Sequence, residues 1–189
     1  FDVLALNIQE NEQRSPIPYV SPPGVDREQL YNNNTLIAQN EQSLGLRVSG
    51  DGLQAGDSRA VFKNISVDMR QYKKLKMFLH AEALASDHPQ IDLVDNDMVG
   101  FIRFGNDFTD NFYQVEIPLK RTSHNTSSQS EIWPDENQID LSLSLLTQLK
   151  ILSRNHVFSP GEMYYKNEDD ADMDPSLSGK SNKLRLGIR

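Results

Sequence analysis

The 189-residue sequence contains no cysteine. Disulfides, zinc-thiolate centres, iron–sulfur clusters and a cysteine nucleophile are thereby excluded. Long apolar runs are missing as well: no stretch approaches the ~20 residues that a membrane-spanning helix requires. Tryptophan occurs once, at Trp133. Basic residues are in deficit, 19 against 27 acidic, for a net charge of −8. Such a chain is a poor non-specific ligand for nucleic acid, where phosphate contacts dominate affinity. It does not dock on anionic lipid by charge alone. Common catalytic signatures are also missing: a Gly-x-Ser-x-Gly elbow, a Walker loop, Gly-x-Gly-x-x-Gly, and any His-x-x-x-His or His-Glu-x-x-His pair. The chain opens at Phe1 without a signal-peptide pattern and stops inside the strand-like run 183–188, which predicts a piece of a longer protein.

What is present is alternation. Leu44, Leu46 and Val48 alternate with other residues, as do Ile65, Val67 and Met69. The pattern recurs at Leu75, Met77, Leu79 and Ala81, at Phe101 and Arg103, and at Tyr113, Val115, Ile117 and Leu119. Ile139, Leu141 and Leu143 continue it, and Leu184, Leu186 and Ile188 end it. Period-2 spacing is that of a half-buried antiparallel strand, whose successive side chains face opposite ways. Such runs, separated by Gly, Asn, Asp and Ser clusters, predict a mainly β protein: an antiparallel β-sandwich or jelly-roll-like domain with one short helix and long loops. The helix is expected over Leu145 to Arg154, capped by Ser144, with Leu145, Leu149 and Leu152 on one face.

Two domains are expected. Residues 1–42 read as a proline-rich extended arm, because Pro16, Pro18, Pro22, Pro23 and Gly24 break regular structure. Residues 43–189 read as the β-sandwich. Within the arm, Leu4, Leu6, Ile8, Ile17, Tyr19 and Val20 predict that part of it docks.

Candidate chemistry is thin. Asp170, Asp172 and Asp174 space their carboxylates like the first positions of an EF-hand loop. Pro175 stands where that loop needs glycine, and Ser181 where it needs a closing glutamate, so the expected state of Glu168, Asp169 and these aspartates is a solvated acidic loop. His80 and Glu82 lie two apart and share a face, as a metal or acid–base pair would, or as an outward pair on a sheet surface. Trp133 and the tyrosines 19, 31, 72, 113, 164 and 165 could stack sugars, or could fill a core. Arg70, Lys73, Lys74 and Lys76 read as a solvated strand edge. No catalytic residue, cofactor or committed metal site is expected.

Eight strings in order resemble one family. They are Asn7-Ile-Gln-Glu-Asn-Glu-Gln-Arg-Ser-Pro-Ile-Pro-Tyr19, Pro22-Pro-Gly-Val-Asp-Arg-Glu28, Asn40-Glu-Gln-Ser-Leu44, Asp68-Met-Arg-Gln-Tyr72, Leu75-Lys-Met-Phe-Leu-His-Ala-Glu82, Phe101-Ile-Arg-Phe-Gly105, Tyr113-Gln-Val-Glu-Ile-Pro-Leu119 and Trp133-Pro-Asp-Glu-Asn137. Together they resemble an internal soluble segment of the SprA/Sov family. That resemblance implies very large outer-membrane proteins of Bacteroidetes-type bacteria, forming the translocon barrel of type IX secretion, on which gliding motility depends. It implies no catalytic residues. The expected role is a non-catalytic structural or substrate-handling module in the cell envelope, with a lean to the cell surface. Its partners would be other secretion components, secreted cargo or the rest of the parent barrel. The alternative is a jelly-roll carbohydrate-binding module, calcium-stabilised or not. The expected contact surfaces are Ser15 to Gly24, Ser86 to Asp97 and Gly161 to Lys180.

Overall fold

The computed structural model describes residues 1–25, 29–32, 35–38, 41–50, 52–84, 93–180 and 183–189. The chain forms two compact units, one of residues 1–68 with 124–129, the other of residues 69–123 with 130–189.

In the first unit, β1 (Asp2–Asn7) pairs antiparallel with β4 (Gln42–Arg47), with Val3 opposite Leu46 and Ala5 opposite Leu44. The helical turn α1 (Ile8–Asn11) follows β1 directly, and its cap Asn7 accepts the Glu10 N–H at 2.9 Å. β2 (Gln29–Asn32) and β3 (Thr35–Ala38) form a second antiparallel pair. Residues 1–42, expected as coil, therefore carry three short strands and one helical turn. Strands of four to six residues carry too short a pattern to stand out among prolines and asparagines.

The proline segment between them docks, as expected. Ile17 and Tyr19 are buried. The Tyr19 hydroxyl meets the Glu41 carboxylate at 2.8 Å and Ser43 Oγ at 2.6 Å. The Asn125 N–H donates to the Pro16 carbonyl, and Gln129 Nε2 to that of Ser21. The Ser15–Pro16 bond is cis.

The second unit holds the main core. β6 (Val99–Gly105), β7 (Phe112–Pro118), β10 (Arg185–Ile188) and β9 (Tyr164–Asn167) form a four-stranded sheet in that order, antiparallel throughout. β5 (Lys74–Phe78) pairs antiparallel with β8 (Gln138–Ser142). Helix α3 (Leu143–Leu152) follows β8 without a loop. Val115 and Ile117 of β7, Ile139 and Leu141 of β8, Leu145 and Leu149 of α3, and Leu186 of β10 are all fully buried in one core. Leu75, Met77 and Leu79 pack against it, so the alternation of β5 and β7 selects the inward face as predicted. Two antiparallel sheets on one core make the protein mainly β, as expected for a sandwich. The described pairings do not trace the double Greek key of a jelly roll.

Five expectations shift. Residues 61–68 enter no strand, and 69–71 form a 3₁₀ turn, so the alternation of Ile65 and Val67 finds no ladder among the described residues. The N-cap of α3 is Ser142, not Ser144; its side chain makes no cap bond, and the Leu143 N–H is taken by the Lys73 carbonyl at 3.0 Å. The helix ends at Leu152 and passes into a 3₁₀ turn at Ser153–Asn155. Three short α-helices are described rather than one, the third being α2 (Gln129–Ile132). The expected loop over 161–180 contains β9, whose four residues are too few to show an alternating pattern.

Turns are held by side chains. The β6–β7 connection closes on Asp107, whose Oδ1 accepts the backbone N–H groups of Thr109, Asp110 and Asn111. Those donors hold its pKa well below the usual carboxylate range.

Candidate functional site

His80 lies just beyond β5 and is half-buried, not outward on a sheet. Its Nδ1 faces the Ile132 carbonyl at 2.9 Å and its Nε2 faces Glu82 Oε2 at 3.1 Å. Thr122 Oγ1 lies 3.2 Å from Nδ1. Trp133 packs edge-on to His80 and Phe78, with centroids at 5.7 and 6.4 Å. Asn137 is buried and acts as a ladder partner: its Oδ1 accepts the Lys120 N–H at 2.7 Å and its Nδ2 donates to the Lys120 carbonyl at 2.8 Å. The strings Leu75 to Glu82 and Trp133 to Asn137 thus meet at one corner, where their polar atoms hold backbone. This corner excludes a stacking role for Trp133.

The three aspartates do not converge. Asp170 accepts the Asn167 N–H, Asp172 pairs with Lys166 at 2.7 Å, and Asp174 caps the turn Pro175–Leu177 through the Ser176 N–H. Asp172 and Asp174 both have pKa values lowered, the first chiefly by Lys166, the second by Ser176. No cluster of three or more His, Cys, Asp or Glu able to hold a metal occurs among the described residues. Ser181 lies outside the described residues.

Glu168 departs from the solvated-loop expectation. It is 0% exposed, and its carboxylate accepts the N–H groups of Gly179 and Leu184 at 3.3 and 3.2 Å. Burial pushes its pKa up, against the lowering effect of those donors. Gly179 is required there because a Cβ would stand 2.2 Å from the Asp140 carbonyl oxygen.

One cluster had no sequence signal. On the face of the four-stranded sheet turned away from the core, Tyr165 lies across Gly187, where an added Cβ would meet the ring at 2.7 Å. The Tyr165 hydroxyl reaches Glu116 Oε1 at 2.9 Å, and Arg185 stacks 3.7 Å from the Tyr165 centroid while pairing with Glu116 at 3.3 Å. Gln114 joins Glu116 to Arg103, whose guanidinium stacks 4.0 Å from the Phe112 centroid. Burial and the Glu116 carboxylate raise the Tyr165 pKa. The cluster is a polar–aromatic strip across four strands. Residues spread over 103–185 meet there only through strand register.

The remaining aromatic and basic candidates are dispersed. Tyr113 packs on Phe104, and Tyr72 is exposed. The Tyr31 side chain lies outside the described residues. Lys74 pairs with Asp140 at 3.2 Å. Of the expected surface 86–97, residues 86–92 lie outside the described residues; residues 93–97 turn at Asn96, whose φ is +71°. A shallow cleft of about 220 Å³ opens beside that turn, between Lys120, Glu136 and Lys183. No helix among the described residues is long and apolar enough to cross a membrane.

No curated protein matches the chain. A family model described as "motility related/secretion protein", SprA_N, matches residues 1–180. The match takes in all eight strings quoted above, including both halves of the His80–Asn137 corner, and the chain belongs to this motility and secretion family.

Proposed function

We propose that the chain is a non-catalytic module of an outer-membrane protein-secretion translocon, of the type IX kind linked to gliding in Bacteroidetes-type bacteria. The family match over residues 1–180 carries this reading. The local chemistry supports it. His80, Glu82, Asp172 and Asp174, the residues with the best claim to reactive roles, are engaged in holding neighbouring backbone or a lysine. The partners are other secretion components, secreted cargo or the rest of the parent barrel, and not nucleic acid. The location is the cell envelope, at the outer membrane and toward its cell-surface side. The proline segment 15–24 and the connections 86–97 and 161–180 are the proposed contact surfaces, since connections vary freely while sheets hold them in place.

The test is deletion of the segment from the intact parent, with secreted cargo measured outside the cell and barrel assembly followed in parallel. Loss of secretion with an assembled barrel is the expected result. Unchanged secretion would defeat the reading. A second reading, carbohydrate binding, draws on the strip of Tyr165, Arg185 and Glu116. A glycan array on the chain, with Tyr165→Ala as control, decides it.

A further inference from the structure

The connection from the 3₁₀ turn Ser153–Asn155 to β9 is fastened by one charged network. The His156 N–H donates to the Ser153 carbonyl at 3.0 Å, which fixes where the connection begins. The His156 ring packs edge-on to Phe158, with centroids 4.7 Å apart, and lies 5.2 Å from the Tyr164 ring of β9. Its Nε2 faces Glu162 Oε1 at 3.0 Å. The second oxygen of Glu162 accepts the Ser159 N–H at 2.8 Å, so the carboxylate closes the turn on itself. Arg189, at the end of β10, donates to the Ser159 and Glu162 carbonyls at 3.2 and 2.8 Å and pairs with Asp110 at 2.8 Å. One guanidinium thus ties the connection to the β6–β7 turn. Beside the network stands Val157, 88% exposed.

Histidine is the side-chain type in this network that changes charge between pH 5 and 8. The charged and titratable groups that face His156 are Glu162 on the connection itself, Tyr164 on β9, Arg189 on β10 and, through Arg189, Asp110 on the β6–β7 turn; Arg154 precedes it by two residues. Glu162 is held below the usual carboxylate range, first by the Ser159 N–H and also by His156, so it stays ionised over that interval. The His156 side chain is 30% exposed and that of Glu162 39%, so protons reach both from water. An imidazolium adds charge to the bond with Glu162, whereas a neutral ring keeps at most the weaker neutral donor. We propose that the connection 156–162 is a pH-sensitive clasp: protonated His156 holds the Glu162 carboxylate and keeps the Phe158 ring packed on the imidazole, and loss of that proton lets Phe158 swing out beside Val157. The stabilisation of the closed turn is complete at low pH and is lost as pH rises through the titration of the histidine. The open form presents two adjacent large apolar side chains as a contact tip; in the closed form Phe158 is 38% exposed. The inference rests on this network alone, so the secretion experiment above can fail without touching it, and the reverse.

The test is amide exchange on the 189-residue chain between about pH 5.5 and 7.5, each rate corrected for its intrinsic pH dependence. Amides of β7 and β10 serve as the record of an intact unit. Protection at Ser159, whose N–H meets the Glu162 carboxylate, should fall about threefold across that range, the size of an exposed ion pair. Magnetic cross-relaxation between the Phe158 and His156 rings should weaken over the same range. In His156→Gln and in Glu162→Gln, protection at Ser159 should not change with pH. The proposal is overturned if wild-type protection is flat or rises with pH, or if the slope survives in His156→Gln, which would place the titrating group elsewhere. It is also overturned if the slope is present while the contact between the Phe158 and His156 rings is unchanged, since the turn would then loosen without releasing the apolar ring.

Discussion

Glu168 is a carboxylate placed where water does not reach, answered by the backbone N–H groups of Gly179 and Leu184. Burial raises its pKa, so the folded chain binds this proton more tightly than the unfolded chain does. The stability it contributes is complete below the unfolded pKa of about 4.3 and is lost as pH rises through the folded value. Denaturant midpoints of the wild type should therefore fall between about pH 4 and 7 more steeply than those of Glu168→Gln. Equal slopes would remove Glu168 from the pH response. Glu168→Ala should cost about 2–4 kcal/mol at pH 7, since two buried donors lose their acceptor. The acidic neighbours behave differently because each has its own partner. Calorimetric titration with calcium is expected to show nothing tighter than about 10⁻⁴ M. Sub-micromolar binding that vanishes in Asp172→Ala would place a calcium site here after all.

Between elements, single residues decide whether strands can approach. Gly187 lets the Tyr165 ring cross β10 and reach Glu116 on β7. Gly187→Ala should displace that ring and cost about 1–3 kcal/mol, against about 0.5–1.5 kcal/mol for Tyr165→Phe, which deletes only the hydroxyl bond. In a Tyr165→Ala background the cost of the glycine substitution should fall, leaving the part set by Met163 Cε, which stands 2.6 Å from the added Cβ. A full cost in that background would show that the strain lies elsewhere. At the corner below β5, Asn137 stands in for a backbone strand opposite Lys120. Asn137→Ala leaves a donor and an acceptor buried and should lower stability by about 1–3 kcal/mol. An unchanged midpoint in chemical denaturation would mean that water replaces the amide without loss.

Across the whole molecule, the two units differ in how much they bury. The second has a four-stranded sheet, a strand pair and a helix on one core, whereas the sheets of the first have two strands each. Val3, Leu44 and Leu46 on the β1–β4 pair remain exposed. Two-stranded pairs are marginal by themselves, so amide exchange on the intact chain should be slowest in β7 and β10 and faster in β1 and β4. Equal protection in both would show that the first unit is stabilised as strongly as the second. Sequence and tertiary structure divide the account of this protein along a physical line. Alternation in residues 75–79 and 113–119 determined two core strands and their inward faces, since a pleated strand with one dry face admits no other spacing; the run 139–143 located β8, which is buried on both faces and passes into α3 at Leu143. The ordered strings determined the family. The same alternation at Ile65 and Val67 made no strand, because a ladder needs a neighbour and spacing names none. Register was decided by the folded chain alone: it brought Arg103, Gln114, Tyr165 and Arg185 onto one face from positions up to 82 residues apart. It also closed Gly179 and Leu184 over Glu168, a carboxylate that composition had assigned to water. Local pattern encodes which side of a strand is dry; only the completed sheets determine what each polar group faces once water is gone.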